Sequence, residues 1–337
     1  MKNLVIILIA ILIVTSQCLE IKKNKTNIEQ LFIVSYNVEN LFDTLNDPYN
    51  PSDDEYLPTG KKKWTQKKYE KKLFNLAKVL SSISKTELPD LIGICEVENK
   101  KVLEDLILQE TLKNANYGIV HENSSDKRGI DVALLYKKEE FNYLSHKNIK
   151  VYNGTREILY VKGIVSKSDT LHIFVNHWKS RYPTPKETEH KRIKFAIILR
   201  KQVDSILDLN INANIIMLGD FNDEPQNISL ENILRATNNR TSKNSYELFN
   251  TMYEKDLANK GSYSYNYEWL MLDEIIISQN LLNNNNGFKL DKNTGQIFDR
   301  KWILYYNSNK GKYKPQNTYY GGYSDHLPVY LIFEKEN

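Results

Sequence analysis

The sequence predicts an α/β or α+β fold, because apolar runs typical of buried strands are interleaved with helical patterns. The strand runs are rich in Ile, Val, Leu, Phe and Tyr and are bounded by polar residues. They cover residues 31–36, 91–97, 130–136, 171–176, 215–218, 274–278 and 329–333. No linker-like composition and no internal repeat divides the chain, so we expect one domain over residues 31–335 after a short lead, 19–30.

Three segments between the strands have the spacing of amphipathic helices. The first follows Trp64 and repeats apolar residues at Leu73, Leu76, Ala77, Leu80 and Ile83. The second is indicated by Leu103, Leu106 and Ile107. The third runs over about residues 186–209. The low-complexity stretch 283–286 and the Tyr-, Asn- and Lys-rich stretch 301–322 are predicted to be surface loops.

Composition is that of an ordinary folded protein. Of the 337 residues, 41% are apolar and 11% are aromatic, which is enough to bury a large core. The net charge of +4 excludes a histone-like tail and an acidic disordered protein. With only Cys18 and Cys95, the chain has neither a disulfide framework nor the ligands of a Cys/His zinc site, so a bound metal would be a hard ion with oxygen ligands. Cys95 lies in an apolar run and is predicted to be a buried structural thiol.

The amino terminus has the pattern of a secretory signal peptide over residues 1–18. Lys2 precedes an unbroken apolar run, 4–14, which is followed by the small and polar residues 15–18. A run of eleven residues is short for a membrane span, which needs about 20. We therefore expect a secreted or periplasmic protein, without stable membrane insertion after cleavage near Cys18. The alternatives are an uncleaved membrane anchor and a lipoprotein whose Cys18 carries the lipid.

The main functional signal is that apolar runs stop at, or follow, clusters of polar and ionisable residues. The clusters are 37–40, 96–99, 176–181, 220–223 and 324–326. Any one of them could be a turn, since Asn and Asp favour turns for local reasons. Five clusters that include carboxylates, amides and two histidines make coincidence a poor explanation. Sites at one end of packed strands are common in sheets that carry catalysis.

In order and spacing, these residues resemble the endonuclease/exonuclease/phosphatase superfamily, which has the DNase I-like fold. The matching residues are Asn37, Glu96, Asp220-Phe221-Asn222, Asp273 and Ser324-Asp325-His326. The resemblance covers about residues 32–333. Four stretches are more narrowly similar to the bacterial, often secreted, branch related to extracellular nucleases: 35–42, 96–99, 128–136 and 177–181. It implies a four-layer sandwich, in which two β-sheets pack face to face and helices lie outside.

The resemblance implies a metal site formed by Asn37, Glu96 and Asp325. Mg²⁺ prefers one or two carboxylates together with water and substrate oxygens, so this sparse set is adequate; Mn²⁺ and Ca²⁺ are the alternatives. Asp220 resembles the carboxylate that orients or deprotonates the attacking water. If the segment stays extended, Asn222 lies on the same face two residues later, and its amide could then bind the same phosphate.

Two histidines have predicted roles at the phosphate. His326 resembles the histidine that contacts the phosphate, and Asp273 resembles the carboxylate partner that fixes its tautomer and raises its pKa. His177 stands where some relatives have histidine and others tyrosine, and we expect it to protonate the leaving oxygen. Asp131 could orient His177 from a separate strand, or it could form a structural salt bridge with Arg128.

Two basic segments are candidates for contacts with a polyanion. Lys179 and Arg181 follow His177 closely and are expected to bind flanking phosphates, unless they belong to a solvated loop. Residues 61–72 contain seven Lys and one Glu, interleaved with Trp64 and Tyr69. That composition suits a patch that tracks a polyanion and stacks bases, although a helix start with a solvated basic face has the same composition.

We therefore predict a secreted, Mg²⁺-dependent phosphodiesterase that hydrolyses DNA or RNA, and we expect a monomer. A phosphatase or a phospholipid phosphodiesterase, such as an inositol-phosphate or sphingomyelin hydrolase, would share the scaffold and the metal chemistry and would differ in its surface loops. The third alternative is a binding module that kept the fold and lost activity. It is disfavoured because every polar position that the reaction needs has a suitable residue type.

Overall fold

Two β-sheets packed face to face form the centre of the structure, a computed structural model that describes residues 28–48, 50, 52–166, 168–283, 287–290, 295–318 and 322–336. The predicted signal peptide, residues 19–27 of the predicted lead and residues 284–286 of a predicted loop lie outside these residues. Residues 28–30 of the predicted lead belong to the first strand.

The described residues contain seventeen strands and five α-helices. The strands are β1 (Ile28–Leu41), β2 (Leu91–Val97), β3 (Tyr117–His121), β4 (Asp131–Lys137), β5 (Asn142–Ile149), β6 (Ile158–Val165), β7 (Asp169–His177), β8 (Asn214–Asp220), β9 (Ala236–Thr237), β10 (Leu248–Asn250), β11 (Tyr263–Tyr265), β12 (Glu268–Leu270), β13 (Asp273–Ser278), β14 (Gln296–Ile297), β15 (Leu304–Asn307), β16 (Lys312–Pro315) and β17 (Val329–Glu336). The helices are α1 (Gln66–Ser82), α2 (Lys100–Ile107), α3 (Pro185–Leu209), α4 (Tyr253–Leu257) and α5 (Asn280–Asn283).

Both large sheets are mixed. The first has the strand order β14-β17-β1-β2-β4-β3, and the second has the order β5-β6-β7-β8-β13-β10-β9. β1 pairs in parallel with β2, and β7 in parallel with β8, whereas their outer neighbours β17, β4, β6 and β13 are antiparallel to them. α1 and α3 lie in the crossovers that join the parallel pairs. Each sheet therefore brings the carboxyl ends of two neighbouring strands to one edge.

Apolar side chains fill the space between the sheets and the space outside each sheet. The middle layer includes Ile33 from the first sheet and Ile173 and Leu218 from the second. Cys95 is buried in this layer, as predicted, and its thiol donates to the backbone oxygen of Asn176 at 3.2 Å. α1 and α2 cover the outer face of the first sheet, and α3 covers that of the second. The order helix, sheet, sheet, helix confirms the predicted four-layer sandwich.

The helices follow from local sequence. Thr184 caps α3 by accepting a hydrogen bond from the backbone N–H of Glu187, and Pro185 occupies the first turn, where its missing N–H does no harm. α3 therefore begins one residue before its predicted start. α1 buries Leu73 and Leu76 against the first sheet, as their helical spacing indicates.

Some elements are not indicated by the sequence pattern. β5 is mostly exposed and has no apolar run; β3 and β6 are not among the predicted strands, although β6 begins with the apolar run 158–161. The stretch 301–322, predicted to be a loop, contains the hairpin β15–β16, in which Tyr306 pairs with Tyr313. Within the ranges given above, no helix combines the length and the apolar character needed to cross a membrane.

Candidate active site

The predicted polar clusters meet at one edge of the two sheets. β1 and β2 bring Asn37 and Glu96 there, and β7 and β8 end there at His177 and Asp220. β13 is antiparallel to β8 and begins at this edge, with Asp273 opposite Asp220. A cavity of about 580 Å³, which we name the cleft, opens at this edge. The predicted site residues that line the cleft are Glu96, His177, Arg181, Asp220, Asn222, Asp325 and His326.

Glu96 reaches the cleft because β2 bulges at this residue. The register between β2 and β4 shifts between Cys95 and Val97, and Glu96 has a φ of 69°. Such a φ in a residue other than glycine costs about 1–3 kcal/mol, which the surrounding structure must offset. The backbone N–H of Asn40 donates to Glu96 Oε2 at 3.0 Å, and a guanidinium nitrogen of Arg128 lies 3.4 Å from the same oxygen. The bulge thus turns the carboxylate into the cleft.

Asp220 lies among the polar groups of the cleft. Its Oδ2 accepts a hydrogen bond from Asn37 Nδ2 at 3.0 Å, and its Oδ1 accepts one from the backbone N–H of Asn222 at 2.9 Å. The same Oδ2 is 3.6 Å from His177 Nε2 and 3.9 Å from His326 Nε2. Burial raises the pKa of Asp220 to about 7, although the charge of His326 opposes this rise. The carboxyl group therefore faces two imidazoles and has a raised proton affinity.

The chain turns sharply on both sides of Asp220. Gly219 has a φ of 134°, and a Cβ at this position would lie 1.9 Å from the backbone oxygen of Asn176, so only glycine fits. Asn222 has a φ of 52°, so the segment after Asp220 does not stay extended, which was the condition for Asn222 to lie on the same face as Asp220. The turn still brings Asn222 to the cleft, where its Nδ2 donates to the backbone oxygen of Trp178 at 3.1 Å. One N–H of the side-chain amide thus donates to a backbone carbonyl, and the second N–H remains for a phosphate bound in the cleft.

His326 forms the predicted pair with Asp273. His326 Nδ1 lies 2.6 Å from Asp273 Oδ2, and the Ser262 hydroxyl donates to the same oxygen at 2.6 Å. Burial alone would lower the pKa of His326, but the charges of Asp273, Asp220 and Asp325 raise this pKa well above its usual range. These charges favour the cationic form of the imidazole. Because Asp273 holds Nδ1, Nε2 remains for a group bound in the cleft.

His177 is buried, and Arg156 holds its backbone. Two guanidinium nitrogens of Arg156 donate to the backbone oxygens of His177 and Trp178 at 3.0 and 2.8 Å. Burial, followed by the charges of Arg156 and Arg128, lowers the pKa of His177 well below its usual range. Its Nε2 lies 3.7 Å from Glu96 Oε1, which favours the neutral tautomer that has its proton on Nε2. A neutral imidazole has no spare proton for a leaving group, so this environment does not favour the predicted general-acid role.

The predicted pairing of Asp131 with His177 is wrong. Asp131 Oδ2 lies 3.1 Å from His121 Nε2, and Asp131 Oδ1 accepts the backbone N–H of Ser124 at 2.9 Å. His177 Nδ1 is buried and has no hydrogen-bond partner in the part of the chain that the structure describes. Because β3 pairs with β4, His121 lies within hydrogen-bond distance of the Asp131 carboxylate. That carboxylate was predicted to pair with His177 or with Arg128.

Two guanidinium groups border the cleft. Arg181, predicted to bind a flanking phosphate, lines the cleft and is held by Glu224, with one nitrogen 3.0 Å from Oε2. Lys179, predicted to do the same, is half-buried and is not among the lining residues. Arg128 lines the cleft and donates to Asn40 Oδ1 at 2.7 Å. Arg128 was not predicted as a site residue, since only the fold brings it to Asn40.

Three side chains at the cleft fit a hard divalent cation. Glu96 and Asp325 supply carboxylates, and Asn37 is adjacent, with its Nδ2 3.5 Å from Glu96 Oε1. The atom of Asn37 that would bind a cation is Oδ1, which accepts the backbone N–H of Glu39 at 3.0 Å and has a second lone pair. Burial raises the pKa of Asp325 to about 7, and the charges of Glu39 and Glu96 contribute to the rise; a cation would stabilise these carboxylates in their ionised form. No group of three His, Cys, Asp or Glu side chains suited to a metal occurs among residues of the described ranges. A site with two carboxylates suits Mg²⁺, which keeps several waters.

One wall of the cleft is aromatic and apolar. Tyr263, Tyr265 and Leu270 form it, and they come from the hairpin β11–β12. The ring centroid of Tyr263 lies 4.7 Å from that of His326. Tyr182, at the rim, is 80% exposed. The sequence pattern does not indicate this wall, because strands of three residues are too short to show a period.

The fold is shared with solved structures of low sequence identity. D. rerio TDP2 complexed with a single-strand DNA product has a TM-score of 0.55 and 17% identity, and the match covers 90% of this chain and 99% of that one. An endonuclease/exonuclease/phosphatase family protein from Bacteroides thetaiotaomicron has a TM-score of 0.55 and 14% identity, with 92% and 99% covered. The human Nocturnin catalytic domain with bound sulfate has a TM-score of 0.53 and 16% identity, with 91% and 96% covered. At these identities the likeness concerns the fold.

Family membership rests on the sequence itself. A comparison with curated proteins found no match. The sequence pattern of the Endonuclease/Exonuclease/phosphatase family matches residues 32–335, which span both sheets and every candidate residue of the cleft. The chain therefore belongs to the endonuclease/exonuclease/phosphatase family, whose enzymes are hydrolases of phosphate ester bonds.

Proposed function

We propose that this chain is a divalent-metal-dependent phosphodiesterase that cleaves nucleic acid by attack of water on phosphorus. Cleavage of a phosphodiester needs a hard cation, an activated water and stabilisation of the charge that develops on the phosphate. The observation that carries the proposal is the position of Asp220, whose Oδ2 lies 3.6 Å from His177 Nε2 and 3.9 Å from His326 Nε2, beside the carboxylate of Glu96.

We assign the metal site to Asn37, Glu96 and Asp325, with Mg²⁺ as the ion and Mn²⁺ or Ca²⁺ as alternatives. When bound, such an ion supplies positive charge to an oxygen of the substrate phosphate. The role of the protein chain is to orient the side chains that bind this ion. The backbone N–H of Asn40 donates to Glu96 Oε2, and the guanidinium of Arg128 lies near the same oxygen. Glu96 Oε1 is therefore the oxygen that would bind the cation.

Asp220 is assigned to the attacking water. Its Oδ1 is held by the backbone N–H of Asn222 at 2.9 Å, so the plane of the carboxylate is oriented before substrate binds. Its Oδ2 can accept the proton that the water loses. A carboxyl group whose pKa burial has raised toward neutrality is a stronger base than an exposed one. Asn222 is assigned to the support of Asp220 through its backbone N–H and to the substrate phosphate through the second N–H of its side-chain amide.

His326 and His177 are assigned to oxygens of the phosphate. His326 is oriented by Asp273 and donates a charged hydrogen bond from Nε2, which is the stronger kind. His177 donates from Nε2 as a neutral imidazole, and the leaving oxygen takes its proton from solvent. Arg181 remains the candidate for a flanking phosphate, and Lys179 has no assigned role.

Nucleic acid is the proposed substrate because the cleft combines cations with exposed rings. Arg128 and Arg181 suit phosphates, and Tyr182 and Tyr265 offer faces on which unpaired bases can stack. The TDP2 structure from D. rerio, which has the same fold, was solved with a single-strand DNA product. A phosphatase would use the same polar residues but would gain nothing from base-stacking rings. A phospholipid phosphodiesterase would place the same rings at the lipid interface, so the substrate panel below separates it from a nuclease.

A panel of substrates tests this proposal. Purified protein is given single-stranded DNA, duplex DNA, RNA, sphingomyelin and inositol phosphates, each with Mg²⁺ or with EDTA. We expect EDTA-sensitive cleavage of at least one nucleic acid. Hydrolysis of sphingomyelin or of an inositol phosphate, without cleavage of any nucleic acid, would overturn the proposed substrate. No hydrolysis of any substrate would favour the non-catalytic binding module.

Glu96→Gln tests the metal site. The substitution removes a ligand charge at nearly constant volume, so it should abolish most Mg²⁺-dependent hydrolysis and leave the circular dichroism spectrum unchanged. Glu110→Gln is the matched control, since Glu110 is exposed and pairs only with Lys113 among the described side chains. Metal titration of the activity gives the readout, and wild-type activity with wild-type metal affinity in Glu96→Gln would refute the assignment.

We also propose that residues 1–18 are a signal peptide and that the mature protein is a secreted or periplasmic monomer with one domain over residues 31–335. The apolar run 4–14 and the polar residues after it support export. Mass spectrometry of the amino terminus of protein from its native host decides the question. An intact Met1 would contradict export, and a diacylglyceryl group on Cys18 would identify a lipoprotein. Light scattering tests the monomer.

A further inference from the structure

A second cavity, separate from the cleft, has a volume of about 760 Å³ and is rich in lysine. We name it the lysine pocket. Its lining lysines are Lys62, Lys67, Lys68, Lys71 and Lys72. No carboxylate is found among the described residues that line it, and the first turn of α1, which forms part of it, contains no acidic residue. The pocket therefore concentrates positive charge in a concave surface.

The exposed lysines of the pocket are not neutralised by acidic neighbours. Across the ranges that the structure describes, Lys67, Lys68 and Lys71 form no ion pair with a carboxylate. By contrast, Lys100 of the neighbouring helix α2 pairs with Glu104 one turn later, at 3.9 Å. A basic helix face that served only for solubility would gain from such pairs. Lys68 donates to a backbone oxygen and Lys71 lies over the ring of Phe74, and neither contact cancels a charge. The charges of Lys67, Lys68 and Lys71 remain available for an anion.

The lysine pocket adjoins the cleft through Lys72. Lys72 is buried, and its ammonium donates to the backbone oxygens of Val38 and, at 2.9 Å, of Tyr323. Val38 follows the candidate metal ligand Asn37, and Tyr323 directly precedes the segment 324–326. α1 lies in the crossover between the parallel strands β1 and β2, so its first turn is at the sheet edge where those strands end. The lysine pocket and the cleft thus share this edge of the molecule.

The lysine pocket offers charge without base stacking. Trp64 is buried and donates from Nε1 to the backbone oxygen of Phe42 at 2.9 Å. Tyr69 is also buried and donates to Asp105 Oδ2 at 2.8 Å. The base stacking considered for residues 61–72 is therefore wrong, because both rings belong to the core. Lysines without a stacking ring recognise the phosphate backbone whatever the base.

We propose that the lysine pocket binds backbone phosphates of a polynucleotide whose scissile phosphate lies in the cleft. The inference rests on the proposed function and deepens it: the substrate is a strand of several nucleotides, and this part of it is bound without regard to sequence. Each phosphate that a lysine neutralises releases condensed counterions, so the pocket should make affinity fall steeply with salt.

A binding assay compares two variants of equal charge. The pocket variant contains Lys67→Ala, Lys68→Ala and Lys71→Ala. The control variant contains Lys85→Ala, Lys201→Ala and Lys243→Ala, at exposed lysines outside the pocket. The affinity for a fluorescent single-stranded 15-mer is measured by anisotropy over a series of salt concentrations, with EDTA to prevent cleavage.

The pocket variant should bind the 15-mer at least tenfold more weakly than wild type at low salt. The slope of log affinity against log salt should become shallower by about 2, because each of three lost phosphate contacts contributes about 0.7. The control variant should stay within about twofold of wild type. Equal losses in the two variants, or wild-type affinity in the pocket variant, would overturn the proposal.

Kinetics separate a failure of this inference from a failure of the proposed function. The loss of kcat/KM in the pocket variant should be at least tenfold greater on the 15-mer than on bis(4-nitrophenyl) phosphate, which is too short to reach the pocket. Wild-type cleavage of the 15-mer with equal losses on both substrates would overturn the lysine pocket and leave the nuclease. If wild type cleaves no nucleic acid, the binding assay still tests whether the lysine pocket binds a polynucleotide. Binding of phosphatidylserine vesicles, without binding of the 15-mer, would overturn the proposal.

Discussion

At the scale of single residues, the proposed chemistry depends on backbone conformations that are rare outside glycine. Asn40, Glu96 and Asn222 have φ values of 53°, 69° and 52°, and all three line the cleft. Hydrogen bonds within the site hold them: the backbone N–H of Asn40 binds Glu96, and that of Asn222 binds Asp220. Strained residues that line a cleft, and are held by the groups of that cleft, are typical of a functional site.

Removal of either histidine should slow hydrolysis by an amount that does not depend on the leaving group. His326→Ala should reduce the rate by about 10²–10³ on every phosphodiester, because it removes a donor to charge that all substrates develop. His177→Ala should reduce the rates on a nitrophenyl phosphodiester and on an oligonucleotide by similar factors, because a neutral imidazole donates to the phosphate. Single-turnover rates on the two substrates check both expectations.

The leaving group distinguishes the two roles considered for His177. Nitrophenolate leaves without protonation, whereas a nucleoside alkoxide does not. If His177→Ala loses far more activity on the oligonucleotide than on the nitrophenyl substrate, the phosphate-donor role is contradicted and the general-acid role holds. His190→Ala, at an exposed histidine of α3, serves as the control and should keep wild-type rates.

Outside the cleft, His172 should make stability depend on pH. Its Nδ1 lies 2.7 Å from the hydroxyl of Tyr160, and burial, followed by the charge of Lys162, lowers the pKa of His172 from 6.5 to about 4. Between these values the unfolded chain binds a proton that the folded chain does not, so the free energy of unfolding should fall as pH falls from 6.5 to 4. Urea unfolding near both ends of this range should show a smaller loss for His172→Gln than for wild type. Identical losses would contradict the assignment.

At the scale of elements, a buried ion pair fixes the turn after β8 to α3. Arg192 Nε lies 2.6 Å from Asp223 Oδ1, and both side chains are buried. The Ser229 hydroxyl donates to Asp223 Oδ2 at 2.7 Å, and Thr188 accepts from Arg192 at 2.7 Å. The segment that begins at Asp220 is therefore anchored at its far end by a helix on the outer face of the sheet.

Arg192→Ala should destabilise the protein by about 3–5 kcal/mol, because it leaves the carboxylate of Asp223 buried without its ionic partner. Lys113→Ala breaks the exposed pair with Glu110 and should change the free energy of unfolding by less than about 1 kcal/mol. Urea denaturation of the two variants measures the difference. Wild-type stability in Arg192→Ala would show that the ion pair does not fix the turn.

At the scale of the whole molecule, seven of the buried strands and the edge that bears the site could be predicted from the sequence. β2 has the predicted bounds, and α3 begins one residue early. Apolar runs are visible in a sequence because burial on both faces requires them. The convergence of polar clusters could be predicted for a physical reason, since neighbouring parallel strands end at the same edge of a sheet.

The contacts that complete the site could not be predicted in this way. Arg156 holds the backbone of His177, and Tyr263 packs against His326. His121 takes Asp131 because β3 pairs with β4. Each contact joins residues on different elements, and the order of strands in a sheet is set by the fold rather than by hydrophobic periodicity. The bulge at Glu96 could not be predicted either, because the apolar residues on both sides of Glu96 continue the pattern of an ordinary strand.

The most direct measurement of the central claim is the single-turnover rate of oligonucleotide cleavage by Asp220→Asn at saturating Mg²⁺. Asparagine keeps the size of the side chain and can still accept the backbone N–H of Asn222, but it cannot take a proton from water. We predict that the rate falls by about 10²–10⁴ relative to wild type, while the affinity for Mg²⁺ changes by no more than a few-fold. Cleavage by Asp220→Asn at the wild-type rate would contradict the account.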